Sequence, residues 1–348
     1  MRLAIYAACA AILVLIATSS VAFASERTEI RSAPMDLSVS SSSWNPFNFA
    51  GFYYNVNKNL GTEVLTLTLT ESNGSSAKLS DQQDPNGDGG VRYQTMAQVN
   101  NFEFEPWGSY SIIGFLGEGY FAAYSGSATS AMSEAGVDVP ALHNKSESKN
   151  LMANSQLSSI LIDDDVEKEI TSDKTLELKE GYQLILKEID PESKEVYLEL
   201  RKNNQTVDNG SVRPSTSNST ISGQTYSYKT DLGEAIGIVI IAVHFKDAGQ
   251  VDGVNRAVID GTFQISDSPV SIESGKQFDK MRIAMVDPDM TAITMDNEGN
   301  PITLSRNMDI SLMKDIHIKT ADQSKADSEV PLRYYIYKEI NCDCQDAA

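Results

Sequence analysis

Histidine is almost missing from this 348-residue chain: His143, His244 and His317 are all it has. A hydrolase triad sets a Ser or Cys beside a His and an acid, and none of the three lies in a recognisable motif of that kind. G-x-S-x-G, H-E-x-x-H, Walker and G-x-G-x-x-G arrangements are absent as well. With 48 Asp and Glu residues some carboxylate pair always lies near another, so no glycosidase pair stands out. The expectation is a protein that is not an enzyme. His244 ends an apolar run and reads as a structural histidine, while His143 and His317 read as surface residues.

Cysteine is equally scarce. Cys9 falls in an N-terminal leader, which leaves Cys342 and Cys344 as a C-x-C in an acidic tail and no disulfide framework to hold a fold. Two cysteines do not make a zinc site, which needs about four ligands. The tail is either unpaired or forms an intermolecular disulfide. Basic residues are few, 28 against 48 acids for a net charge of −20, and phosphate binding depends on clustered Lys and Arg. Nucleic acid is excluded as a partner.

Long apolar runs are confined to the start. Arg2 is followed by the apolar stretch Leu3 to Thr18 and then Ala22-Phe23-Ala24, the small-x-small pattern of signal-peptidase cleavage. Residues 1–24 are therefore expected to be a signal peptide, and their loss with Arg2 takes the charge from −20 to −21. The next longest run, Ile236 to Val243, is far short of the ~20 residues a span needs, so no transmembrane anchor is expected in the mature chain.

What is present is the pattern of strands and turns, short alternating runs bounded by Gly, Asn, Asp and Pro. Glu63 to Thr70, Lys194 to Leu200 and Arg333 to Tyr337 alternate apolar and polar residues and read as half-buried strands. Gly237 to Phe245 is continuously apolar and suits a central strand covered on both faces. Only Gly114 to Tyr124 has a helical look. The Ser- and Thr-rich stretches Ser38 to Ser43, Ser125 to Ser133 and Arg213 to Gly223 read as solvated loops.

The fold class is all-β, with two β-sandwich subdomains built mainly from antiparallel strands. A larger N-terminal region, 25–266, subdivides near 160; a second sandwich follows at 267–340 and the acidic C-x-C tail at 341–348, with strands free to cross between sandwiches. Glu180-Gly181-Tyr182-Gln183-Leu184, Asp190-Pro191 and Val196-Tyr197-Leu198 are echoed by Ser274-Gly275-Lys276-Gln277-Phe278, Asp287-Pro288 and Ile293-Thr294-Met295.

Five N-x-[ST] sequons, at Asn73, Asn144, Asn204, Asn209 and Asn218, fall in predicted turns or loops and are candidate glycosylation sites in a secreted protein. Asp84-Pro85-Asn86-Gly87-Asp88-Gly89 opens like a calcium loop, but its twelfth position is Thr95 where an EF-hand needs a bidentate Glu. Asp84, Asn86 and Asp88 form either a non-EF calcium turn or an acidic hairpin loop; calcium is the one cofactor in view. Asp163-Asp164-Asp165 is a second cation candidate or a solvated strand end. Trp44, Phe47, Phe49, Phe52, Tyr53 and Tyr54, with Trp107, Tyr110, Phe115, Tyr120, Phe121 and Tyr124, serve either as core and interface packing or as a sugar-stacking platform.

Phe49-Ala50-Gly51-Phe52-Tyr53-Tyr54, Trp107-Gly108-Ser109-Tyr110 leading to Ile113-Gly114-Phe115, and Tyr120-Phe121-Ala122-Ala123-Tyr124 resemble the surface-layer (S-layer) duplication domain of methanogenic archaea. The resemblance continues through Leu161 to Asp165, Leu178 with Glu180 to Leu184, Val196 to Leu200, Thr225 to Tyr228 and Gly261 to Asp267, covering about Glu29 to Tyr337. It implies a pair of β-sandwich subdomains, an N-glycosylated acidic exterior, and tiling into a two-dimensional lattice through self-association or with other S-layer proteins. The family's major lattice proteins carry two tandem units, a stalk and a C-terminal anchor, whereas one unit and no anchor are expected here. The alternative is a secreted carbohydrate- or surface-binding module that engages cell-surface glycans through the aromatic clusters; a buried Trp44 and Trp107 would count against it. A glycoside-active enzyme would need a cleft with two carboxylates ~5 to 10 Å apart, one of them desolvated.

Overall fold

The computed structural model describes residues 27–81, 90–125, 128, 131, 150–214, 220–251, 253–287 and 291–341. The signal-peptide expectation, the calcium turn at Asp84, Asn86 and Asp88, the C-x-C tail, His143, Asn144 and Asn218 all lie outside the described residues. The fold is all-β, as its alternating runs require, and its sheets are antiparallel. No helix among the described residues is long and apolar enough to cross a membrane.

Two apolar cores organise the strands. One lies between a four-stranded sheet, in the order Leu176–Glu177, Tyr182–Ile189, Val196–Lys202, Gln205–Val212, and the larger part of a nine-stranded sheet. The main path of that larger sheet runs Thr225–Leu232, Ala235–Val251, Val254–Ile265, Gln156–Asp164, Glu118–Tyr124, Ser109–Phe115, Gln98–Asn101. Ile238 through Phe245 are all buried in its second strand, so the continuous apolar run is covered on both faces. Leu184, Leu186, Leu198 and Leu200 close the core from the opposite sheet.

The second core joins segments far apart in the chain. Its six-stranded sheet runs Gln277–Phe278, Met281–Val286, Ala292–Asp296, Gly90–Met96, Val64–Thr68, Ser41–Trp44. Facing it is a five-stranded sheet in which Arg27–Arg31 pairs with Arg333–Asn341, followed by Ile316–Thr320 and Asp309–Met313. Trp44 meets Tyr334 edge-on across the gap at 6.2 Å. The first core draws its buried residues from Phe102 to Ile265, and the second from Leu37 to Tyr93 and from Ile272 onward, joined by Ile113, Phe115, Leu116, Tyr120, Ala122, Ala123, Met152 and Leu157 of the intervening stretch.

Two sequence expectations are corrected. Gly114 to Tyr124 is no helix but the heart of a hairpin, Ser109–Phe115 and Glu118–Tyr124. Leu116 and Gly117 form its two-residue turn with φ of 54° and 80°, the positive pair that matches strand twist. The helical look arose because both faces are covered, which erases period-two alternation. Tyr110, Ile112, Phe121 and Tyr124 point into the first core, whereas Ile113, Phe115, Tyr120 and Ala122 point into the second. The serine run is likewise not all loop. Ser41–Trp44 is an outer strand, and the buried Ser42 Oγ accepts a hydrogen bond from Tyr334 Oη–H at 3.0 Å.

The echo holds only at the Asp turn and the strand after it, since Gln277–Phe278 is a separate short strand that pairs with Met281 and Arg282. Tyr182–Ile189 and Val196–Lys202 pair around the Asp190 turn, and Met281–Val286 and Ala292–Asp296 pair around Asp287. In each the Asp backbone N–H closes the turn, onto Glu195 O and Ala292 O, both at 2.9 Å.

Candidate functional site

The shared hairpin turn is held by a buried ionic cluster. Glu63, with no solvent exposure, accepts hydrogen bonds on Oε2 from Tyr53 N–H at 2.6 Å and on Oε1 from Tyr93 Oη–H at 2.7 Å and Gly117 N–H at 2.8 Å. Leu116 N–H donates to Tyr93 Oη at 3.0 Å, and Lys338 Nζ donates to the Leu116 and Gly117 carbonyls at 3.2 and 3.0 Å. Three separated segments thus converge on the turn residues Leu116 and Gly117, with Tyr53 bonded to Glu63 behind them. Burial pushes the Glu63 carboxyl up to about 7 against the opposing pull of these donors and of Lys338. Burial likewise lowers the Lys338 ammonium. Gly119 leaves room for the Tyr53 ring, which a Cβ there would strike.

Beside this clamp a cleft of about 290 Å³ is lined by Tyr53, Asn55, Asn100, Glu103, Tyr110 and Asp163 among others. Asp163 accepts from Glu103 N–H at 3.1 Å and Tyr110 Oη–H at 2.9 Å, and Asn100 Nδ2 donates to Tyr110 Oη at 2.7 Å. Burial pushes the Asp163 carboxyl up to about 6. Glu103 Oε1 pairs with Lys58 Nζ at 3.2 Å.

The three consecutive aspartates do not converge on a cation. Asp163 turns inward, Asp164 pairs with Lys168 at 2.8 Å, and no group of three or more metal-ligating acids, His or Cys occurs among the described residues. His244 Nδ1 lies 2.5 Å from Asp260 Oδ1 and its ring stacks on Phe104, but its buried Nε2 has no partner. His317 stacks on Tyr337 at 4.9 Å.

The aromatic clusters are mostly core. Trp44 is 3% exposed and Trp107 fully buried, its Nε1–H donating to Thr225 Oγ1 at 3.1 Å. A sugar platform built on these indoles is excluded by burial; Phe47 is the member left in solvent.

Asn73, Asn204 and Asn209 are exposed. Asn209 lies in the outer strand Gln205–Val212, paired with Glu199, and not in a loop. Its Asn-Gly pair reads as a turn in sequence, but the register with Val196–Lys202 carries the strand through. The neighbouring Glu199 is held by Arg201, Lys187 and Thr206, which pull its carboxyl down to about 2.

Sequence reasoning missed Glu63, Tyr93 and Lys338 as a unit. The one local signal was an acid immediately before a strictly alternating strand.

The described residues form an all-β body with two cores, in which Glu63 and Lys338 fasten a shared hairpin and both tryptophans are buried in packing. A model of the S-layer protein family matches residues 35–322, and the chain belongs to that family. It is 26% identical over 302 residues to a major S-layer protein of Methanosarcina mazei, covering 84% of this chain and 38% of that relative. Matches to major S-layer proteins of Methanosarcina acetivorans, 27% over 305 residues, and Methanosarcina barkeri, 27% over 299 residues, cover 85% and 84% of this chain. The chain spans 38% of the length of each of these relatives.

Proposed function

We propose that this chain is a structural component of a secreted cell-surface layer, assembling into a lattice with its own copies or with other S-layer proteins. The observation that carries the reading is the family match over residues 35–322 on an all-β fold with two cores. The protein has no catalytic role: the desolvated Asp163 has its oxygens engaged by Tyr110 and the Glu103 backbone, and Glu103 itself pairs with Lys58. Asn73, Asn204 and Asn209, exposed on the surface, carry glycans, as do Asn144 and Asn218. A cation such as calcium, at Asp84, Asn86 and Asp88 or spread over the surface, offsets the net charge of −20 between neighbours.

The test is fractionation of the source cells with mass spectrometry of the protein. Recovery in the envelope, beginning at Ser25 and modified at Asn204 or Asn209, is expected. Recovery only as an unmodified protein free in the medium would overturn the reading.

A further inference from the structure

Phe47 is 75% exposed and Val56 77% exposed, the two highest values among the described large apolar residues, and both lie on the segment between Trp44 and Gly61. Neighbouring aromatics of the same segment are not displayed this way: Phe49 and Phe52 are 1% and 4% exposed and anchor it in the second core.

The display is built. Phe47 N–H donates to Asn45 Oδ1 at 2.9 Å, Asn45 N–H to Asn48 Oδ1 at 2.7 Å, and Asn48 Nδ2 to Ser43 O at 3.1 Å. Asn55 and Leu60 exchange backbone hydrogen bonds at 2.8 and 3.2 Å beneath Val56, and Tyr54 Oη–H donates to Asn59 Oδ1 at 2.6 Å. The Phe47 ring stands edge-on to Tyr54 at 5.3 Å. An exposed aromatic fixed by its own turn and backed by a second ring has the character of an interface anchor, where rigid aromatics supply most of the binding energy.

Charge says what covers it. From Leu37 to Thr62 the chain has no carboxylate and Lys58 is the single charged residue, in a protein with 48 acids and 28 bases. Lys58 is already paired with Glu103 Oε1 at 3.2 Å, so this face is close to neutral; two acidic faces of this chain repel each other, whereas this one meets an acidic part of another copy with little like-charge opposition. We infer that the loop carrying Phe47 and Val56 is the contact face for a second copy of this chain. The inference rests on the lattice reading above and names the residues that make one of its contacts.

The experiment follows assembly of the full-length mature protein by sedimentation and light scattering at rising concentration with calcium. Three forms are compared: wild type, the double variant Phe47→Ser with Val56→Ser, and a control, Val254→Ser, at a residue 44% exposed at the start of the strand Val254–Ile265. Both loop side chains lie in solvent, so the double variant should melt like wild type by circular dichroism. It is expected to need at least about tenfold more protein to assemble, while the control assembles as wild type does. A double variant that assembles like wild type overturns this inference and leaves the lattice reading standing. A wild type that stays monomeric throughout removes both.

Discussion

Gly117 holds its backbone at φ of 80°, and a Cβ there would collide with the Gly51 carbonyl oxygen and Lys338 Nζ. Gly117→Ala is therefore expected to cost about 3 kcal/mol or more, from left-handed strain and overpacking together. A urea midpoint within error of wild type would show that the turn tolerates a side chain after all. Glu63 makes a pH prediction at the same spot. Its folded-state value, about 7, lies above the ordinary 4.5, so between those values the native protein keeps a proton that the unfolded chain has released. Stability from this group falls as pH rises through the window and is lost above it. Glu63→Gln cannot ionise, so the difference in stability between variant and wild type should move in the variant's favour from pH 4.5 to 7; a constant difference would refute the assignment. Little of this was legible in the sequence. Glu63 opens a run that alternates cleanly, but its donors come from Tyr53, Tyr93 and Gly117, and local pattern cannot record a partner 54 residues away.

Elements with one wet face were readable, because alternation survives when a single side is buried. Val64–Thr68 exposes Val64 and buries Leu65 and Leu67, as its pattern announces. The hairpin Ser109–Tyr124 was not readable for the opposite reason, since two cores claim its two faces. That arrangement predicts an outcome for adjacent residues. Ile112→Ala opens a cavity in the first core and Ile113→Ala in the second, each at roughly 2–5 kcal/mol. Amide exchange monitored by mass spectrometry should show each variant loosening the whole molecule; protection lost in one core alone, in both variants, would argue that the hairpin does not couple them. At this scale the sequons divide too: Asn204 sits in a turn with φ of 66°, whereas Asn209 is carried by the strand that follows.

For the whole molecule, the all-β class and the aromatic packing were legible, but the interlacing of distant segments was not. Ala292–Asp296 pairs with Gly90–Met96, and Arg27–Arg31 with Arg333–Asn341, and no local motif marks those partnerships. Because the hairpin belongs to both cores, calorimetry should find one cooperative transition whose van't Hoff and calorimetric enthalpies agree. Two resolved transitions would mean that the cores melt independently.

The same hairpin has a mechanical meaning. Tension entering through one core reaches the other through the Ser109–Phe115 and Glu118–Tyr124 strand pair, whose Leu116–Gly117 end is pinned by Glu63 and Lys338. Pulling the two halves apart must shear this pair against neighbours on both sides at once, as in a lap joint, where a flexible linker would simply straighten.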